Sequence, residues 1–262
     1  MKGKTIQVKG FKYLKINIFK NSIFAPQNNS KLLTSYLPNP FPLTKRKLQH
    51  FAELETFQNV IQADMKNDLS MHPMKGNWNK SFFKKDLPIV LELGCGKGEY
   101  TVNLAEKYPD KNYIGIDIKG NRIWRGSKTA IENGMTNVGF LRIQIEHIEY
   151  FFEENEVSEI WITFPDPQPK YKTEKKRLTS PDFLMRYKKI IKPGGIIHLK
   201  TDSRFLYDYT MGILKDKNIK INISSADIYK EFPDEEVLQI QTFYEKKFLA
   251  QGIPITYINF SL

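Results

Sequence analysis

The sequence predicts an α/β fold with a mostly parallel, doubly wound sheet and an antiparallel C-terminal strand. Three observations support this. Residues 88–100 have the pattern of a buried strand, a glycine-rich turn and the start of a helix. Short apolar runs then alternate with segments of helical periodicity as far as residue 215. A last apolar run at 255–260 follows a long excursion and begins after Pro254, which suits an antiparallel partner.

The charge of the chain is unevenly distributed. Its 262 residues can form one substantial core with an extension, and 40 Lys or Arg against 29 Asp or Glu give a net charge of +11. Residues 1–50 contain ten of the basic residues and none of the acidic ones, so the rest of the chain is nearly neutral. Binding to nucleic acid must therefore be argued from local clusters and not from the overall charge.

The first residues form a segment of their own. We expect residues 1–44 to be a basic, poorly ordered extension that ends in the proline-rich stretch 38–42, and residues 45–262 to be a single domain. An organelle transit peptide, an arm that binds nucleic acid and a start codon assigned too early all remain open as explanations of the extension.

Several classes of protein are disfavoured by composition. One cysteine, Cys95, allows no intrachain disulfide, which favours a reducing compartment and a cytoplasmic protein. The four histidines and this cysteine show no metal-ligand spacing, so we expect no metal. No apolar stretch reaches the roughly 20 residues that span a bilayer, so we expect no membrane partner.

The remaining elements follow in chain order. Residues 45–70 suggest a short polar helix and a loop, and Trp78 is expected to anchor the chain by packing. Trp124 and Ile131 are candidate core positions of the second predicted helix. We predict strands at 89–93, 112–116, 138–143, 159–164, 196–199 and 255–260, and helices from 99, at 120–133, at 181–191 and at 205–215.

The glycine-rich turn predicts a nucleotide-type site. Gly94, Gly96 and Gly98 allow a sharp turn and a close approach of ligand to backbone. In the dinucleotide fingerprint the third glycine comes one residue later, where this chain has Glu99. Glu92 also precedes the turn, and its charge would repel a diphosphate but attract an ammonium or a sulfonium. This pattern favours S-adenosyl-L-methionine over NAD, with a glycine turn in an unrelated α/β protein as the alternative.

Polar residues also follow the next two strands. Asp117 can accept hydrogen bonds from both ribose hydroxyls, although a helix N-cap is an alternative. Gln144 lies where an adenine edge would be, although an ordinary exposed loop fits equally well.

The fourth strand leads into a loop with two unusual features. Pro165 and Pro167 restrict the backbone on both sides of Asp166, at the carboxyl end of the sheet. The same loop carries five basic residues that could contact phosphates, namely Lys170, Lys172, Lys175, Lys176 and Arg177.

From about Lys45 to the C-terminus, the chain resembles the bacterial tRNA (guanine-N7-)-methyltransferase family. The resemblance rests on the segments Lys-Gly-Asn-Trp (75–78), Leu-Glu-Leu-Gly-Cys-Gly-Lys-Gly (91–98), Gly-Ile-Asp (115–117), Phe-Pro-Asp-Pro (164–167), Lys-Arg-Leu (176–178), Thr-Asp (201–202) and Thr-Phe-Tyr-Glu (242–245).

The resemblance implies a Rossmann-like class I methyltransferase fold. It also implies methyl transfer from S-adenosyl-L-methionine to guanine N7 in tRNA, at guanosine 46 of the variable loop, by a monomer or a homodimer. It identifies Asp166 as catalytic. It implies cofactor contacts from Glu92, Gly94, Gly96, Gly98, Asp117, Gln144 and Asp166, and RNA contacts from Lys170, Asp202, Thr242, Phe243, Tyr244 and Glu245.

The chain departs from the family pattern at two positions. Gln168 replaces a frequent Trp, and Gln144 replaces a frequent Asp. A methyltransferase for small molecules or proteins, and a non-catalytic RNA-binding relative, are the competing hypotheses.

Overall fold

The computed structural model describes residues 43–63 and 71–262 and is built around an eight-stranded sheet. Most of the predicted extension at 1–44 lies outside the described residues. The strands are β1 (Val60–Gln62), β2 (Ile89–Leu93), β3 (Asn112–Ile116), β4 (Val138–Arg142), β5 (Val157–Thr163), β6 (Ile191–Thr201), β7 (Lys220–Ser225) and β8 (Thr256–Ser261). The α-helices are α1 (Leu43–Leu54), α2 (Glu99–Lys107), α3 (Gly120–Glu132), α4 (Pro181–Ile190), α5 (Arg204–Asp216), α6 (Ile228–Glu231) and α7 (Phe243–Ala250).

The strand order is β1-β4-β3-β2-β5-β6-β8-β7. Strands β1 to β6 pair in parallel, and β8 is antiparallel to both of its neighbours, β6 and β7. This confirms the predicted class of fold. Because these strands are parallel, the carboxyl ends of β2, β3, β4, β5 and β6 lie at one edge of the sheet.

The apolar side chains of the strands form a core on each face of the sheet. Leu91 of β2 belongs to one core, which also contains Leu184 of α4 and Leu206 of α5. Val90 belongs to the other core, with Leu104 of α2. Because both faces are covered by helices, all five residues of β2 are buried, as the apolar Ile89, Val90, Leu91 and Leu93 predicted.

Trp78 anchors the segment before β2, as predicted. It is fully buried, it donates its indole N–H to the carbonyl of Phe151 at 2.8 Å, and its ring stacks on Phe152. The segment is a short π-helix, Trp78–Phe83.

Three predictions about the fold need correction. Ile131 is 46% exposed and does not belong to the core, because Ile123 and Ala130 occupy the buried face of α3 instead. The segment 45–70 contains the short strand β1 as well as a helix. Strand β6 begins at Ile191 and not at the predicted Ile196, because Ile191 already pairs with Val157. The residues between these two positions, including the Pro-Gly-Gly sequence, form a bulge.

Strand β7 was not predicted and occupies part of the long excursion before β8.

Within residues 43–63 and 71–262, no helix has both the length and the apolar character that crossing a bilayer requires.

Candidate active site

Polar side chains from five adjacent strands gather at the carboxyl edge of the sheet. They comprise four carboxylates and one amide, and each lies within three residues of a strand end. They are Glu92 in β2, Asp117 after β3, Gln144 after β4, Asp166 after β5 and Asp202 after β6. The topology therefore brings together residues that are up to 110 positions apart in the sequence.

The glycine-rich loop is held against the end of β3. The backbone N–H groups of Gly94 and Cys95 both donate to the carbonyl of Ile116, at 2.8 and 3.0 Å. The three predicted glycines have φ values of +75°, +56° and +69°, which favour glycine. At Gly98 a Cβ would also lie 2.5 Å from the ring of Phe140, so this position has no room for a side chain.

The Glu92 carboxyl group lies beneath this loop. It is 3% exposed, and it accepts hydrogen bonds from the Thr163 hydroxyl at 2.6 Å and from the Thr101 N–H at 2.8 Å, as well as from the Thr101 hydroxyl. Burial raises the pKa of Glu92 to about 7, and the bonds from the two threonines oppose this rise. A cation placed nearby would favour the ionised form of this carboxyl group.

Asp117 connects the glycine loop to the segment that follows β3. Its two carboxylate oxygens accept from the N–H of Gly96 at 3.0 Å and from the N–H of Lys119 at 2.7 Å. The N-cap of α3 is Lys119 and not Asp117, so the alternative prediction of an N-cap does not hold. Each oxygen keeps a second lone pair with which it can accept a hydroxyl.

Gln144 is exposed at the end of β4, where it precedes a short 3₁₀-helix. It borders a cleft of about 850 Å³, whose other walls come from the segment after β3 and from the end of α1 with β1. The lining residues used below are Leu54, Val60, Gln62, Ile118, Arg142 and Gln144.

A second, smaller cavity of about 80 Å³ lies at the glycine loop itself. Glu92, Gly94 and Gly96 line one side of it, and Thr242 and Tyr244 line the other. The start of α7 is attached to the loop, because the N–H of Phe243 donates to Glu99 at 2.8 Å.

The Pro-Asp-Pro loop has a strained but fixed backbone. Phe164 and Gln168 have φ values of +48° and +46°, which residues other than glycine rarely adopt. Between them, Asp166 accepts a hydrogen bond from the N–H of Gln168 at 3.0 Å through its Oδ1. Arg177 donates to the carbonyl of Gln168 at 3.1 Å, and Phe164 donates to the carbonyl of Lys200 at 2.8 Å. Asp166 itself is exposed.

The basic segment after this loop presents four lysines to solvent, Lys170, Lys172, Lys175 and Lys176. Arg177 differs from them and corrects the prediction of five phosphate-contacting residues. It is 5% exposed and its guanidinium lies over the rings of Tyr209 and Phe205. It therefore supports the Pro-Asp-Pro loop from inside the protein.

Glu245 also points inward, unlike a residue that contacts RNA. It is fully buried, and its carboxylate accepts from the ammonium of Lys200 and the hydroxyl of Tyr229, at 2.7 and 2.8 Å. It also completes a capping box with Thr242 at the start of α7. The adjacent Phe243 and Tyr244 are 43% and 48% exposed.

Lys200 was not among the predicted site residues. Its ammonium is buried and also donates to the carbonyls of Leu238 and Ile240, at 2.7 and 2.9 Å. The signal in the sequence was a lysine that directly follows an apolar strand run, where a charge requires a buried partner.

Cys95 is buried, and its burial raises the pKa of its thiol, which disfavours the nucleophilic thiolate form. The described part of the chain contains no cluster of His, Cys, Asp and Glu side chains that could hold a metal ion.

The chain matches known proteins both in sequence and in fold. A family model described as "Putative methyltransferase" matches residues 86–258. A tRNA (guanine-N(7)-)-methyltransferase of Christiangramia forsetii is 59% identical over 222 residues, which cover 84% of this chain and 99% of that protein. Its counterpart in Bacteroides thetaiotaomicron is 48% identical, with 83% and 86% covered.

Solved structures share the fold at low identity. A 16S rRNA methyltransferase, KamB, superimposes with a TM-score of 0.55 at 13% identity, covering 73% of this chain and 95% of that one. An antibiotic-related methyltransferase gives 0.53 at 18% identity, with 74% and 96% covered. These likenesses identify the class I methyltransferase fold. The family model and the sequence relatives show that the chain belongs to the tRNA (guanine-N7-)-methyltransferase family.

Proposed function

We propose that this protein transfers the methyl group of S-adenosyl-L-methionine to N7 of a guanine in tRNA, at guanosine 46 of the variable loop. The observation that carries the proposal is the exposed Asp166, which a strained loop holds after β5, the strand next to β2, at the carboxyl edge of the sheet. Membership in the family supports the choice of substrate.

The residues around the glycine loop suit a cationic methyl donor. The donor supplies a methyl group bonded to a sulfonium. Glu92 offers a buried negative charge that a cation would stabilise, and Asp117 has lone pairs for ribose hydroxyls. Gln144 can bind an adenine edge with its amide. The proposal also keeps the predicted cofactor contacts of Gly94, Gly96 and Gly98.

Asp166 would hold the guanine. Guanine N7 has an in-plane lone pair, so its methylation needs alignment with the methyl group and no base to remove a proton. The Asp166 carboxylate can accept from the N1 and N2 edge of the ring and favours the positive charge that develops on the purine. Its hydrogen bond from Gln168 orients the carboxylate before the substrate binds.

The four exposed lysines and the start of α7 would bind the RNA. Lys170, Asp202, Phe243 and Tyr244 keep their proposed contacts. Thr242 and Glu245 become positioning residues, because both are buried and form the capping box of α7, with the Glu245 carboxylate against Lys200.

The proposed activity can be tested with purified protein, labelled S-adenosylmethionine and tRNA from cells that lack N7-methylguanosine. We expect label in tRNA as N7-methylguanosine at position 46, and none in a panel of metabolites or proteins. Methylation of another atom, or of a metabolite in preference to tRNA, would reject the proposal.

The lysine loop gives a separate prediction. The double variant K172Q/K175Q should weaken binding to tRNA and reduce the slope of log K against log salt by about one unit for each lost phosphate contact. Lys80 and Lys192 serve as a matched control, since they line a cleft beside the start of β2, at the opposite end of the sheet. K80Q/K192Q should leave the slope unchanged. Equal slopes for both double variants and the wild type would show that the loop lysines only face solvent.

A further inference from the structure

We propose that residues 47–63, here called the N-terminal wall, close the adenine side of the cofactor cleft, and that Arg142 holds this wall in place as a positioning residue. The inference rests on the proposed function, because it assigns the cleft to the adenosine half of S-adenosylmethionine. The wall would be a part of the cofactor site that is separate from the glycine loop and from the acidic residues at the strand ends.

The cleft of about 850 Å³ has two sides of different origin. Ile118 and Gln144 come from the ends of β3 and β4, whereas Leu54, Val60 and Gln62 come from the wall. The cleft lies next to Asp117, since Ile118 lines it, and this position identifies the occupant as the adenine base. A ribose bound by the Asp117 carboxylate places its base toward the residues that follow Asp117. Ile118 is 49% exposed and offers an apolar surface for the face of a base.

Arg142 joins the wall to this side of the cleft. Its Nη1 donates to the Oε1 of Gln62 at 3.0 Å, and its Nε donates to the carbonyl of Ile118 at 3.3 Å. Its guanidinium also lies 5.0 Å from the ring centroid of Phe51 in α1. One side chain thus contacts α1, β1 and the segment that carries Ile118.

Gly120 gives a second observation, which shows that the side chains are tightly packed where the wall meets the start of α3. A Cβ at Gly120 would lie 2.8 Å from the Phe51 ring and 3.1 Å from Arg142. The phenylalanine and the arginine therefore occupy the space that a side chain at the start of α3 would need.

The wall has another attachment that does not face the cleft. Glu53 accepts from the indole of Trp124 at 2.7 Å and from the ammonium of Lys128 at 2.9 Å, both on α3. This attachment supplies a matched control, because the Lys128–Glu53 pair is partly exposed and Glu53 keeps its hydrogen bond from Trp124 when Lys128 is replaced, so the wall stays docked.

The test compares R142M with K128M in the full chain by calorimetry, with S-adenosylhomocysteine and methylthioadenosine as ligands. Both ligands contain the adenosine half, and the second lacks the amino acid. We expect R142M to weaken both ligands by the same factor, about tenfold, because it removes two hydrogen bonds of a charged donor. K128M should bind both ligands as the wild type does. The KM for tRNA should stay unchanged in both variants.

Three results would overturn the inference: wild-type affinity in R142M, a loss confined to S-adenosylhomocysteine, or an equal loss in K128M. If R142M does not fold, Q62L removes only the acceptor in the wall and should weaken both ligands by a smaller, equal factor. No binding of either ligand by the wild type would instead reject the proposed function.

Discussion

Replacing Asp166 with Ala should lower kcat by about 100-fold or more and leave the affinity for tRNA nearly unchanged. The loss of one preorganised group that acts on charge developing in a transition state has an effect of this order. The lysines that would carry the affinity lie on the segment after Asp166 and keep their charge in the variant. Single-turnover rates and equilibrium binding of tRNA measure the two quantities separately.

D166N is the sharper control. Asparagine keeps an oxygen that can accept from the N–H of Gln168, so the loop should keep its conformation. The second oxygen becomes an NH₂ group, which opposes the N–H donors of guanine. We expect D166N to lose as much turnover as D166A at an unchanged melting temperature. Wild-type turnover in D166N, or an equal loss of turnover and affinity in D166A, would contradict the catalytic role.

Replacing Lys200 with Met should destabilise the protein by about 3–5 kcal/mol, because it leaves the carboxylate of Glu245 buried without its cation. Both side chains of this pair are fully buried. Burial lowers the pKa of Lys200, and the neighbouring Glu245 opposes this shift. Denaturant unfolding gives the loss of free energy directly.

The double variant K200M/E245L separates a stranded charge from lost packing. It removes both charges, so we expect it to recover much of the stability that K200M loses. A double variant less stable than either single variant would contradict this explanation. The exposed pair Arg204 and Asp208 is the control, and R204M should change the stability far less than K200M does.

Much of the sheet was predictable because its central strands are encoded locally. The segment around β2 combines a short apolar run with glycines and a helical pattern, and each of these signals agrees with the fold. The order of strand and helix then placed Asp117, Gln144 and Asp166 at one edge without any knowledge of distances.

The two additional strands were harder to predict for different reasons. Strand β1 has three half-buried residues, too few to show a period. Strand β7 had a usable signal, since Ile219, Ile221 and Ile223 alternate with polar residues, but Ile223 is 40% exposed and the strand contacts only β8 within the sheet. An edge strand of this kind carries a weak apolar pattern.

The direction of charged side chains could not be predicted from the local sequence. Arg177 follows two exposed lysines, yet it is buried because Phe205 and Tyr209 arrive from α5. Glu245 is buried because its cation comes from β6, 45 residues earlier. In both cases the partner lies far away along the chain, so a run of charges gives no indication of which member turns inward.

The pairing of β7 with β8 has a consequence for how the segment proposed to bind RNA can vary. Ser225 and Tyr257 are paired in the sheet, so residues 226–256, which carry Thr242 and Tyr244, form an excursion whose two ends are adjacent. Doubling the length of such a closed loop costs only about 0.6 kcal/mol of entropy. Changes of length should therefore be tolerated at exposed turns of this excursion that leave Leu238, Ile240 and Glu245 in place around Lys200. Such turns are where one recognition surface could be exchanged for another.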